Sequence, residues 1–194
     1  QISGADLTTV TISGNAIDDA DLNTTVDDIL VDVQLAEDAQ TGTVNSEVAA
    51  DLFVNNAGGD AVTSIDASGS TGDITLTFAV SSDIANVETG TGDDTVLIQT
   101  ATSNVAGSTV AAMVQTGEGD DTVNINTTGT GTTTVNSGAG DDTVTLFADG
   151  SGKLSVDLGE GDDAFLVNGG TVSKGDTIDG GAGTDTVQLK DIGS

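Results

Sequence analysis

The sequence predicts an all-β fold: a parallel β-solenoid of about 21 residues per coil, with an irregular β N-terminal part. Three observations carry this. The string Gly-x-Gly-Asp-Asp-Thr-Val recurs with slight decay, beginning at Gly90, Gly117, Gly138, Gly159 and Gly181. Each copy leads into a short run of period-two apolar alternation, the signature of strands with one buried face. The acids are overwhelmingly the short one, 27 Asp against 5 Glu, alongside 27 Gly, which is a turn-and-strand composition. One such coil cannot bury its own apolar face, so several must stack. A β-sandwich is the alternative for short strands. A fixed repeat of one turn sequence favours the solenoid.

Residues 1–62 read as an irregular β N-terminal region or cap, and 63–194 as the solenoid. In the first part, Leu7 to Ile12, Ile29 to Leu35 and Leu52 to Val54 are β-like runs separated by acidic stretches. Ala16 to Leu22 or Ser46 to Leu52 could form a short helical turn. A degenerate copy of the repeat starts at Gly69. From Gly90 each unit holds a Gly-Asp turn, a strand, a second turn of small residues (Thr128 to Gly131, Asp149 to Gly152) and a second strand. The alternation points Val96, Ile98, Val123, Ile125, Val144, Leu146, Phe165, Val167, Val187 and Leu189 inward on one wall. On the other wall it points Val110, Val114, Val135, Leu154, Val156 and Ile178 inward. Ser108 to Gln115 could pass for a helix, but its register in the repeat makes it a strand. The long first interval places an insertion in the Ala101–Gly107 loop.

Composition excludes several functions. The 194 residues contain 3 Lys+Arg against 32 Asp+Glu, a net charge of -29, and no Cys, Pro, His, Trp or Tyr. Without Cys and His there is no ordinary zinc, haem or iron–sulfur ligation. There is equally no Ser-His-Asp triad and no Cys nucleophile. Lys153, Lys174 and Lys190 are all the positive charge, too little to meet phosphate backbones, so no nucleic-acid partner is expected. No apolar run approaches membrane-spanning length, so no membrane insertion is expected. Carboxylate pairs could serve glycoside hydrolysis, but so many Asp residues make chance pairs inevitable. The chain is not expected to be an enzyme.

The repeated turns point to calcium. This ion takes six to eight oxygen ligands, mostly carboxylates and carbonyls, and glycine lets a turn fold its carbonyls inward. The candidate ligand column is Asp93, Asp94, Asp120, Asp121, Asp141, Asp142, Asp162, Asp163 and Asp185. The turn glycines are Gly90, Gly92, Gly117, Gly119, Gly138, Gly140, Gly159, Gly161, Gly181 and Gly183. Five stacked turns leave four gaps, hence about four Ca²⁺ ions. Metal-free Gly-Asp turns are the plain alternative, but a stacked column of carboxylates without cations would repel strongly. Mg²⁺ dehydrates reluctantly and suits such a site less well. The opposite edge lacks the Gly-Asp ending except at Gly175-Asp176, so binding is expected on one side, with an extra site near Asp176 and Asp179.

These turns resemble the repeats-in-toxin (RTX) calcium-binding nonapeptide, G-G-x-G-x-D-x-U-x. Gly180 to Gln188 fits every position. The other copies replace the first Gly with Thr89, Thr116, Ser137 or Leu158. The resemblance implies that Asp94, Asp121, Asp142, Asp163 and Asp185 are carboxylate ligands, and that Asp93, Asp120, Asp141 and Asp162 offer carbonyls. The run Thr63 to Gly69 leading into Gly72 to Leu76 is similar to the approach to such repeats in bacterial surface-layer proteins and large adhesins. Together the likenesses imply a secreted, calcium-ordered structural protein of a bacterial cell surface, in a surface layer, extracellular fibre or matrix. Its partners would be copies of itself or other surface-layer and matrix components, with cell-surface polysaccharide as a further candidate. A non-catalytic adhesin or polysaccharide-binding module is the alternative. Outward Thr95, Thr122, Thr143 and Thr186 align, with Ala164 interrupting them. The sequons at Asn23 and Asn126 fit the glycosylation pattern, though Asn126 is expected to end a strand and stay bare.

Overall fold

The computed structural model describes residues 9–14, 29–33, 41–47, 49–55, 64–79, 85–99, 112–126, 130–148, 152–169 and 171–190. These residues form strands and turns, with no helix among them. The strands are β1 (Thr9–Gly14), β2 (Ile29–Val33), β3 (Thr41–Ser46), β4 (Ala50–Asn55), β5 (Ser64–Asp66), β6 (Ile74–Ala79), β7 (Asn86–Glu88) and β8 (Thr95–Gln99). They continue as β9 (Ala112–Glu118), β10 (Thr122–Asn126), β11 (Thr133–Ala139), β12 (Thr143–Ala148), β13 (Leu154–Asp157), β14 (Ala164–Asn168), β15 (Thr177–Asp179) and β16 (Thr186–Lys190).

The odd strands make one sheet in chain order and the even strands make a second, each 8-stranded. Every pairing is parallel. This is a parallel β-solenoid with two walls. The chain crosses from wall to wall at each turn, so a parallel neighbour always lies one coil away. The strands β1 to β4 of the N-terminal region join the same two sheets. Their rungs are unevenly spaced along the chain, with Thr9 beside Thr41 and Thr41 beside Ser64. The segment Ser46 to Leu52 is not a helical turn: β3 ends at Ser46 and β4 begins at Ala50. Ala16 to Leu22 and Val110 lie outside the described residues. Ala112 to Gln115 are strand, as the register required.

The core is the stack of inward residues. Leu76, Val96, Val123, Val144 and Phe165 run up the even wall, and Val87, Val114, Val135 and Val156 up the odd wall, all almost fully buried. Ile178 is half-buried against the same cluster. Two inward residues behave differently. Val187 and Leu189 keep register with Phe165 and Val167, but they are 61% and 54% exposed. They sit on β16, the last described strand of the even sheet. The long interval between repeats does not disturb the even wall: Thr95 still pairs with Thr122 and Val96 with Val123. One irregularity marks β12. Asn126 pairs with Ala148, not Phe147, so Phe147 is the extra residue of a bulge and stands 40% exposed. Asn126 ends β10, as expected.

Candidate metal centre

The Gly-Asp turns stack along one edge because their glycines leave the space. Gly138 has φ +112°, and a Cβ there would lie 1.9 Å from the carbonyl oxygen of Gly117. Gly140 has φ +135°, and its Cβ would lie 2.1 Å from the Gly119 oxygen. Both conditions exclude a side chain. Gly90, Gly117, Gly159 and Gly181 occupy the first of these columns, and Gly92, Gly119, Gly161 and Gly183 the second, each with preceding-coil backbone where a Cβ would go. The candidate glycines are therefore the contact surface between coils.

The paired aspartates separate into two ladders. Asp94, Asp121, Asp142 and Asp163 are inner and almost fully buried. Asp93, Asp120, Asp141 and Asp162 are outer and exposed. Each inner carboxylate reaches back one coil. The Asp94 amide donates to Asp121 Oδ1 at 2.7 Å, that of Asp121 to Asp142 at 2.8 Å, that of Asp142 to Asp163 at 2.8 Å and that of Asp163 to Asp185 at 3.2 Å. Each outer carboxylate reaches forward instead. The amides of Asp120, Asp141 and Asp162 donate to Asp93, Asp120 and Asp141, and the Thr184 amide donates to Asp162. Asp73 Oδ1 begins this ladder by accepting from the Asp93 amide. The two ladders run in opposite directions and cross-link every coil from Gly69 onward. Backbone amides thus take up part of the repulsion that the column would otherwise carry.

The inner ladder is left incomplete. Asp121, Asp142 and Asp163 each keep a buried Oδ2 with no partner. In Asp94 the second oxygen accepts from the Gly90 amide at 3.2 Å. Burial pushes the Asp121 and Asp142 carboxyls up to about 7, against the pull of the amides that donate to them and, at Asp121, of the neighbouring Thr116 hydroxyl. Burial raises Asp94 and Asp163 as well. A carboxyl with a raised folded pKa binds more protons folded than unfolded, so stability falls as pH rises. We therefore expect the cation-free protein to lose stability between about pH 4 and pH 7 and to level off above. Urea midpoints measured in chelator from pH 4 to 8 check this; a midpoint that rises with pH would contradict it.

Comparison with protein-family models, with curated proteins and with solved structures returns no match for this chain. The case for a ligand therefore rests on the donors themselves. They are hard oxygens only, the kind an alkaline-earth cation takes, and three of them are buried and unpartnered. Among the described residues no three carboxylates come together as a metal-binding group. An ion here would take one or two carboxylates, with turn carbonyls and water completing its shell. Those carbonyls already accept ladder bonds, as Gly138 does from Glu160, but a carbonyl has a second lone pair. The donor types, carboxylate and carbonyl oxygens, are those a calcium ion takes.

Asp185 ends the inner ladder, while Asp176 and Asp179 stand apart. Asp185 is exposed on the last rung. Asp176 accepts from the Leu154 amide at 2.9 Å and from the Ser173 amide. Asp179 accepts from the Gly181 amide at 3.1 Å. The last two cap separate stretches of backbone.

Sequence reasoning passed over a third column. Thr89, Thr116 and Ser137 are buried beside the inner ladder. The Thr89 hydroxyl donates to the Thr116 carbonyl at 2.8 Å, and that of Thr116 to the Ser137 carbonyl at 2.9 Å. The signal was present as the hydroxyl residue that replaces the first nonapeptide glycine. Thr116→Val keeps the volume and removes the bond, so it should cost about 1–3 kcal/mol, the penalty of an unpaired buried carbonyl. Denaturant melts in saturating calcium measure this; a change within about 0.5 kcal/mol, the ordinary range of surface substitutions, would leave the column without structural weight.

Proposed function

We propose that this chain is a calcium-ordered structural solenoid, secreted to a bacterial cell surface and working in a surface layer, extracellular fibre or matrix. The observation that carries the reading is the buried inner ladder with its unpartnered oxygens at Asp121, Asp142 and Asp163. A buried carboxylate lacking a partner is costly, and a divalent cation removes that cost. Three such oxygens support three ions, one fewer than the gaps between turns suggest. Asp121, Asp142 and Asp163 are the ligands on this reading, with the stacked glycine turns supplying carbonyls.

The RTX likeness of the turns supports the same assignment, and with it export to a calcium-rich exterior. At low calcium the -29 charge favours an expanded chain, and at millimolar calcium the filled ladder favours the coil stack. The role is non-catalytic. Calorimetric titration of chelator-stripped protein with CaCl₂ should give about three ions per chain, the number of orphaned oxygens. Binding should tighten above pH 7 as the inner carboxyls lose their protons. No heat of binding at millimolar calcium would reject the proposal.

A further inference from the structure

The two outer faces of the solenoid differ in charge. On the odd sheet, Asp66, Glu88, Gln115, Asn136, Asp157 and Asp179 form one outward rank, four of them acidic and several joined by direct register. On the even sheet from β6 to β16, no outward position among the described residues is acidic. Thr95, Thr122 and Thr143 make one rank. Leu97 and Leu166 belong to the next, and the bulge lifts Phe147 out beyond it. The only charge at these described positions is Lys190, on β16. Low strand propensity of acids does not account for this, because it applies equally to the odd sheet.

We propose that two copies of the chain pair through the outer face of the even sheet, packed sheet on sheet. With a net charge of -29, two copies repel wherever acidic surfaces meet. The stretch from β6 to β16, beyond Asp51 on β4, is free of acids and is where they approach without that penalty, and Leu97, Leu166 and Phe147 supply apolar contact. Six strands spaced about 4.8 Å apart, each with about five residues at 3.3 Å, present roughly 400 Å² per copy. The total, about 800 Å², falls in the class of weak, transient association. Such contacts hold when repeated in an array. The pairing requires the folded solenoid and does not depend on which cation, if any, fills the turns.

The test is sedimentation equilibrium of the full chain across concentration, in buffered calcium, at low and high NaCl. A monomer–dimer equilibrium is expected, tighter at high salt because screening weakens the long-range repulsion. Leu166→Glu should weaken it at least tenfold, while Asn136→Glu on the odd sheet leaves it unchanged. Thr122→Glu is the second variant, and circular dichroism confirms that each remains folded. A wild-type chain that stays monomeric to about 1 mM overturns the proposal, as does an equal response to the Leu166 and Asn136 substitutions. A monomer retained on an uncharged polysaccharide, with retention lost in Leu166→Glu, would assign the face to a glycan and equally overturn it. Failure here leaves the calorimetric calcium result untouched, so the two readings fail separately.

Discussion

Calcium added to chelator-stripped protein at pH 8 should produce a large gain in melting temperature and restore β-sheet circular dichroism lost in the chelator. Each bound ion contributes about 2.7 kcal/mol at a hundredfold excess over its dissociation constant. Three ions then contribute about 8 kcal/mol, comparable to the whole net stability of an ordinary domain. The origin of the effect can be separated from generic salt screening by one substitution. Asp142 is buried with an unpartnered Oδ2. Asp142→Asn removes the buried charge but keeps an oxygen for the Asp142-directed amide bond from Asp121. Without calcium at pH 8 the variant should be more stable than wild type, because it no longer holds a desolvated carboxylate. With calcium it should be less stable, because a ligand is gone. This crossing of the two melting curves is the expected result. The same substitution at exposed Asp141 should move either curve far less. Parallel shifts of both variants, or a melting temperature indifferent to calcium, would remove the inner ladder as the ion seat.

Gly140→Ala should cost about 5 kcal/mol, enough to open the C-terminal coils. The backbone there has φ +135° and the added methyl would lie 2.1 Å from the Gly119 oxygen. Strain of a non-glycine residue at such a φ costs about 1–3 kcal/mol. The rest comes from spreading two coils, which weakens the Gly119-to-Ala139 and Gly140-to-Glu160 amide bonds together, each about 1 kcal/mol, and the two aspartate ladders beside them. Ala139, between the two glycine columns, is the control. Its equivalents in other coils include Thr91, so Ala139→Thr should change stability by less than about 0.5 kcal/mol. Urea unfolding in saturating calcium measures both. Equal stability of the two variants would mean that the turns are not in direct backbone contact.

Much of this was legible before the structure. The repeat interval set the coil, and the alternation after each turn selected Val123, Ile125, Val144, Leu146, Phe165 and Val167 as core; all are buried. Strands of period two beside glycine turns leave few other ways to hide apolar residues. Val187 and Leu189 share that pattern but are exposed, since alternation assigns a face and only a following coil covers it. The Ser46 to Leu52 segment misled because a single strand pair without a repeat has no register to override local propensity.

The sequence by itself determined the solenoid, its period, the glycine columns and the edge where the carboxylates gather, because each depends on spacing along one chain. Only the tertiary structure decided which aspartate of each pair is buried, and that the ladders run in opposite directions. It also placed a hydroxyl column beside the inner carboxylates, lifted Phe147 on a bulge, and left the outer even face without acids from β6 to β16 among the described residues. These follow from pairing between coils 20 to 27 residues apart. A residue's partner there is set by the stacking of distant backbone, which no local pattern encodes.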